Sequence, residues 1–136
     1  MLKLELGDGP SLRVLAIGSH ADDVEIGCGG TLLRLAAERP GLEVHWVVLS
    51  ASAERAEEAR ASAARFLEGA AVSDVAVESF RDAFFRYGGE VKEYFEALKT
   101  KVSPDLILTH HGSDLHQDHR LVAELESHHQ GARNAG

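Results

Sequence analysis

Two short stretches of the chain carry side chains able to hold a metal ion. His20-Ala21-Asp22-Asp23 sets an imidazole beside two carboxylates, and His116-Gln117-Asp118-His119 supplies two further imidazoles around a carboxylate. A catalytic zinc commonly takes three protein ligands from His and carboxylate and leaves its remaining position to water, whose pKa then falls to about 7. His20, one carboxylate of the Asp22-Asp23 pair and one imidazole of the His116/His119 pair meet that count, leaving the other groups for acid–base work. Iron, cobalt and manganese accept the same donors, so these residue types do not select zinc by themselves. Each stretch also has a local explanation. Asp22-Asp23 would serve as the N-terminal cap of a helix, and His116 to His119 as a solvated helix start capped by Asp118, with His110 and His111 as polar loop residues.

The surrounding patterns say what must position these groups. Residues 13–18 (RVLAIG) and 43–49 (EVHWVVL) read as buried strands, 74–78 as a weaker one and 105–109 as another. Between them, helical spacing runs through Leu32, Leu33, Leu35 and Ala36 (27–38), through an Ala, Glu and Arg-rich stretch (53–67), and through Val91, Tyr94, Phe95 and Leu98 (90–101). A further helix is expected from about Asp118. Alternating strands and helices imply an α/β protein, Rossmann-like, with a mainly parallel sheet between two helical layers. Ligands of such sheets gather at the carboxyl ends of the strands, where both His/Asp stretches fall.

The 136 residues are enough for one domain with a real core, at 44% hydrophobic and 26% charged. No apolar run approaches the roughly 20 residues needed to cross a bilayer, and Met1 to Leu6 does not resemble a secretory leader. The formal charge of −8 disfavours nucleic acid and anionic membranes as partners. The single Cys28 cannot form an internal disulfide, so any metal must rely on His and carboxylates. A cytoplasmic location is expected.

With those residues in view, 20–27 (HADDVEIG) and 114–119 (DLHQDH) resemble the two signatures of the LmbE-like, or PIG-L, zinc-dependent deacetylases, and the likeness extends to Arg55-Ala56-Glu57-Glu58-Ala59 and to about Glu126. The resemblance implies that family's Rossmann-like fold and hydrolysis of the N-acetyl group of a small amino sugar or its conjugate. It implies His20, Asp23 and His119 as zinc ligands and Asp22 as general base. His116 falls at the position of the donor to the oxyanion, Asp118 beside it as the carboxylate that orients or charges an imidazole, and Arg55 at that of an arginine approaching the active site. Asp114 is a weaker candidate for orienting an imidazole. The family's tendency to oligomerise makes a homo-oligomer an expectation too.

Some features stand apart from the resemblance. Ala21 replaces the usual proline, and family members continue well past the second signature, which sets the expectation of a shortened fold lacking part of the substrate wall. Residues 1–126 would then be a partial deacetylase domain and 127–136 an irregular tail, with a non-catalytic metal-binding or assembly module as the rival function. Gly27-Cys28-Gly29-Gly30 invites a phosphate-binding turn but does not match G-x-G-x-x-G. Glu25 is expected to brace that turn, Cys28 to pack in the interior, His45 to belong to the core or a strand face, and the Arg55–Glu58 spacing also suits an ordinary surface ion pair.

Overall fold

The computed structural model describes residues 6, 9, 11–85, 89–112 and 114–134, and of 126–134 the backbone only. Residues 1–5 of the leader reading and 135–136 of the expected tail lie outside the described residues. Four strands and four helices alternate: β1 Ser11–His20, α1 Asp23–Glu38, β2 Gly41–Ser50, α2 Ala53–Phe66, β3 Val72–Val77, α3 Glu90–Lys101, β4 Leu106–Leu108 and α4 Gln117–Asn134. The strands form one sheet in the order β3-β2-β1-β4, every pair parallel. This is the α/β arrangement expected from the alternation of apolar runs and helical periods.

The central strands are apolar on both faces because both are covered. Leu12, Val14, Ala16, Val44, Trp46 and Val48 face one core with Leu32 and Leu35 of α1 and Ala63 of α2. The intervening Leu15, Ile17, Val47 and Leu49 face a second core with Phe95 and Leu98 of α3 and Val122 and Leu125 of α4. The period-2 alternation of strand side chains thus assigns α1 and α2 to one layer and α3 and α4 to the other. His45 lies on β2, half-buried, with Nδ1 3.2 Å from Asp74 Oδ2.

Two expectations are corrected. Gly27 to Gly30 is not a turn, since α1 begins at Asp23 and the glycines lie within it. The role of Gly29 is steric: a Cβ there would come within 2.7 Å of the Phe66 ring, so the missing side chain lets α1 approach α2, whereas Gly27 and Gly30 face open space. Glu25 accordingly braces helix against helix, accepting a hydrogen bond from Ser62 Oγ at 2.9 Å. The second correction concerns the stretch after Glu126, whose backbone continues helically to Asn134 where irregular chain was expected. Gln130, Ala132 and Arg133 are good helix formers, and α4 is already nucleated by the turns packed through Val122 and Leu125, so helix propagates through the poorer formers beside them.

Gly18 marks where the sheet meets the site. A Cβ there would stand 2.9 Å from Asp23 Cβ and 3.1 Å from Val24 Cγ2, neither of which is the free end of a flexible side chain. Gly18→Ala is therefore expected to lower stability by about 1–3 kcal/mol through overpacking. Urea unfolding monitored by circular dichroism checks this, and an unchanged midpoint would show that the start of α1 gives way freely.

Candidate metal centre

β1 and β4 are sheet neighbours, yet the chain leaves β1 for β2 on one side and reaches β4 only after crossing to the other helical layer. This reversal of strand order opens a crevice beyond their carboxyl ends. His20 ends β1, Asp22 and Asp23 lead into α1, His110 follows β4, and His116 to His119 lead into α4.

Asp22 adopts the left-handed region at φ 77°, which aspartate tolerates better than most residues. The turn sends neighbouring carboxylates different ways. Asp23 Oδ2 accepts a hydrogen bond from the His20 backbone N–H at 2.8 Å, whereas Asp22 Oδ2 accepts one from Arg55 Nη2 at 2.8 Å. Asp22 stands at the N-cap position of α1 without making a side-chain cap, so the capping explanation for the pair is not what the structure shows. Arg55 in turn lies in the first turn of α2, which Ser52 Oγ caps by accepting from its backbone N–H, and it also reaches Glu58 at 3.2 Å. The surface pair inferred from spacing exists, and the same guanidinium bridges to Asp22.

Three lone-pair atoms converge. His20 Nδ1 lies 3.5 Å from Asp23 Oδ2, His119 Nε2 lies 3.2 Å from the same oxygen, and the two nitrogens are 3.3 Å apart. Tetrahedral bonds of about 2.0–2.2 Å from nitrogen and oxygen ligands separate the ligand atoms by about 3.3–3.6 Å. The triangle has the dimensions of one face of such a tetrahedron, and all three side chains are half-buried. Burial alone would raise the Asp23 pKa, but hydrogen bonds from the His20 ring and backbone, with His119 and His110 nearby, outweigh it and hold the carboxyl below its ordinary value. The interaction with Asp23, opposed by burial and aided by Asp82, raises the His20 pKa.

The other expected residues are also near, with particular partners. His116 is exposed, its ring centroid 4.9 Å from that of His20 and 4.7 Å from that of His119, and its Nδ1 accepts from the Asp118 backbone N–H at 3.1 Å. Asp118 is almost wholly buried, and its Oδ2 accepts from the Ala83 backbone N–H at 2.6 Å while lying 3.6 Å from His20 Nε2. Asp114 accepts from the His116 backbone N–H and sets Oδ2 3.3 Å from His119 Nδ1, a close contact without the angle of a hydrogen bond.

Two residues of the site were not anticipated in a site role. Asp82, in the loop after β3, places Oδ1 2.6 Å from His20 Nε2. His110 accepts the Ser19 backbone N–H at Nε2 and stacks on His119 with ring centroids 3.7 Å apart. Burial and the neighbouring His119 push its pKa down to about 4, so it packs as a neutral ring. Both residues follow strands at their carboxyl edge, the rule that located the two signatures and the signal by which they could have been found.

A cavity of about 370 Å³ adjoins Asp23, His110 and Asp114 and reaches Cys28 and Thr109. A larger hollow of about 810 Å³ between α1 and α2 is lined by Leu33, Ser62, Phe66 and neighbours, with none of the converging groups. Among the described residues no helix is long and apolar enough to cross a membrane.

A family model described as PIG-L, GlcNAc-PI de-N-acetylase, matches residues 15–128. The chain belongs to this family. It is 30% identical over 120 residues to the uncharacterized deacetylase YaiS of Escherichia coli K12, the match covering 80% of this chain and 63% of YaiS. Among solved structures it resembles the conserved protein TT1542 of Thermus thermophilus, with TM-score 0.67, 28% identity, and coverage of 87% of this chain and 55% of that one. The N,N'-diacetylchitobiose deacetylase of Pyrococcus horikoshii gives TM-score 0.68 and 26% identity over 88% of this chain and 49% of its own. GalB, the 4-carboxy-2-hydroxymuconate hydratase of Pseudomonas putida KT2440, gives TM-score 0.70 over 87% of this chain and 55% of its own, but at 23% identity that likeness concerns the fold alone. The chain thus spans between about half and two thirds of the length of these relatives.

Cys28 packs half-buried against the core beside the cavity, and burial, with Glu25 nearby, pushes its thiol up to about 11. Because the thiolate is the nucleophile and an ordinary thiol titrates near 8.5, alkylation at pH 8 is expected to be about 100-fold slower in the folded protein than in urea. Equal rates in the two states would contradict this buried placement.

Proposed function

We propose that this chain is a zinc-dependent deacetylase of an N-acetylated amino sugar or its conjugate, converting the amide and water to acetate and a free amine. The observation that carries the reading is the triangle of His20 Nδ1, Asp23 Oδ2 and His119 Nε2, with sides of 3.2 to 3.5 Å, at the switch point of the sheet. These three residues would hold the ion. When bound there, zinc lowers the pKa of its water toward about 7 and polarises the amide carbonyl.

The chain's own groups supply the rest. Asp22, with one carboxylate oxygen held by Arg55, keeps the other to accept the proton of the attacking water and to return it to the leaving nitrogen. His116, whose Nδ1 is occupied by a backbone N–H, turns its Nε2–H into a donor for the oxygen that gains negative charge as the carbonyl is attacked. Arg55 stands beside Asp22 on the exposed side of the crevice, where it can meet a polar group of the substrate. Asp118 acts through the Ala83 backbone and its nearness to His20. A small neutral sugar amide suits the site, and the net charge of −8 gives no inducement to polyanions. The single cysteine suits a reducing compartment, and the cytoplasm is the place of reaction this reading favours.

Support comes from the family's name and from the neighbour that is a diacetylchitobiose deacetylase. The test is metal content and turnover on the same preparations. Protein purified without chelator is expected to hold about one zinc per chain and to release acetate from N-acetylglucosamine conjugates or diacetylchitobiose. Asp22→Ala should keep the metal and lose turnover by about 100- to 10,000-fold, and His119→Ala should lose both. An active Asp22→Ala would remove the assigned base, and folded protein that takes up no divalent metal would end the reading.

A further inference from the structure

The loop after β3 holds a backbone strain that the mechanism above does not require. Ala83 has φ 64°, a conformation costly for a residue with a Cβ and kept only where the surroundings impose it. Both its peptide groups are clamped from the start of α4. Asp118 Oδ2 accepts its N–H at 2.6 Å, and Gln117 Nε2 donates to its carbonyl at 2.8 Å. Two residues on, Phe85 is buried in the second core, its ring 6.0 Å from that of His20. Between Phe80 and Phe85, both packed in that core, the clamp fixes Asp82, which lies two-thirds exposed yet sets Oδ1 2.6 Å from His20 Nε2.

We infer that Asp82 is a positioning residue for His20, latched by Gln117 and Asp118 through the strained Ala83 peptide. This rests on the reading of His20 as a metal ligand. An imidazole that binds a metal through one nitrogen must carry its proton on the other, and a carboxylate at that second nitrogen fixes both tautomer and ring plane. With the carboxylate of Asp82 holding the proton at Nε2, the Nδ1 lone pair is free to take an ion between Asp23 and His119 in place of a contact with the Asp23 oxygen. The latch residues immediately precede His119 in sequence, so the first turn of α4 places one imidazole of the triangle directly and the other through the β3–α3 loop. Removing the buried Asp118 carboxylate would strand the Ala83 N–H, so the exposed Asp82 and the partly buried Gln117 are the better places to test it.

The test reads His20 in the metal-free protein first. Long-range proton–nitrogen correlation spectra of histidine-labelled protein at alkaline pH are expected to show His20 as its Nε2–H tautomer. In Asp82→Ala that preference should give way to a mixture, while Asp82→Asn, whose side-chain carbonyl can still accept, should retain it. Zinc affinity, measured by competition with a chromophoric chelator, should weaken about 10- to 100-fold in Asp82→Ala, much less in Asp82→Asn, and by an intermediate factor in Gln117→Ala. An unchanged tautomer and unchanged affinity in Asp82→Ala would overturn the inference while leaving the metal site itself standing. If the wild-type chain took up no zinc, the metal reading would fall, and the tautomer spectra would still decide whether Asp82 orients His20.

Discussion

One carboxylate oxygen, Oδ2 of Asp23, ties the site together. It accepts the backbone N–H of His20, and it is the common neighbour of His20 Nδ1, His119 Nε2 and His110 Nε2 at 3.5, 3.2 and 3.5 Å. A half-buried anion needs compensating donors, or burial drives it to its neutral form. Here the backbone N–H of His20 supplies a donor at the end of β1, and the rings of His20 and of His119, the latter from the start of α4, gather round the same oxygen, from segments separated by most of the chain. The demand for compensation therefore fixes how these segments meet. Gly18 permits the approach by leaving no Cβ in the path of Asp23, and the left-handed Asp22 separates the two adjacent carboxylates, giving one to the imidazoles and the other to Arg55.

The sheet supplies the rigidity that such convergence needs. β1 and β2 are covered on both faces, and their side chains alternate strictly between the two cores, so the position of His20 at the end of β1 is set by buried residues on either side of the strand. The second core also contains Phe85 and the α4 residues Val122 and Leu125, which brings the loop bearing Asp82 and the helix bearing His119 into one packed unit. Groups placed by packed strand ends and a helix start are held more closely than groups on free loops.

Much of this was legible in the sequence because it is written in local pattern. The apolar runs gave the strands to within one or two residues at each end, and the range 90–101 coincides with α3. The parallel sheet followed from alternation, and the strand-end rule placed both His/Asp stretches in one crevice. What escaped was information held in contacts. Gly27 to Gly30 has the composition of a turn, and only the ring of Phe66 explains why Gly29 sits inside a helix. Asp82 has no motif around it; its relation to His20 arises from a hydrogen bond between segments 62 positions apart. His110 looked like one of several polar loop residues until its stack on His119 was seen, and the bridge from Arg55 to Asp22 could not be read from helix spacing, which gave only Glu58.

The most direct measurement is a crystal structure of zinc-loaded protein with anomalous differences collected on both sides of the zinc edge. The account predicts one strong peak within about 2.0–2.2 Å of His20 Nδ1, a carboxylate oxygen of Asp23 and His119 Nε2, with Asp82 still on His20 Nε2. A zinc ion held by other residues, or bound to His20 through Nε2, would contradict it.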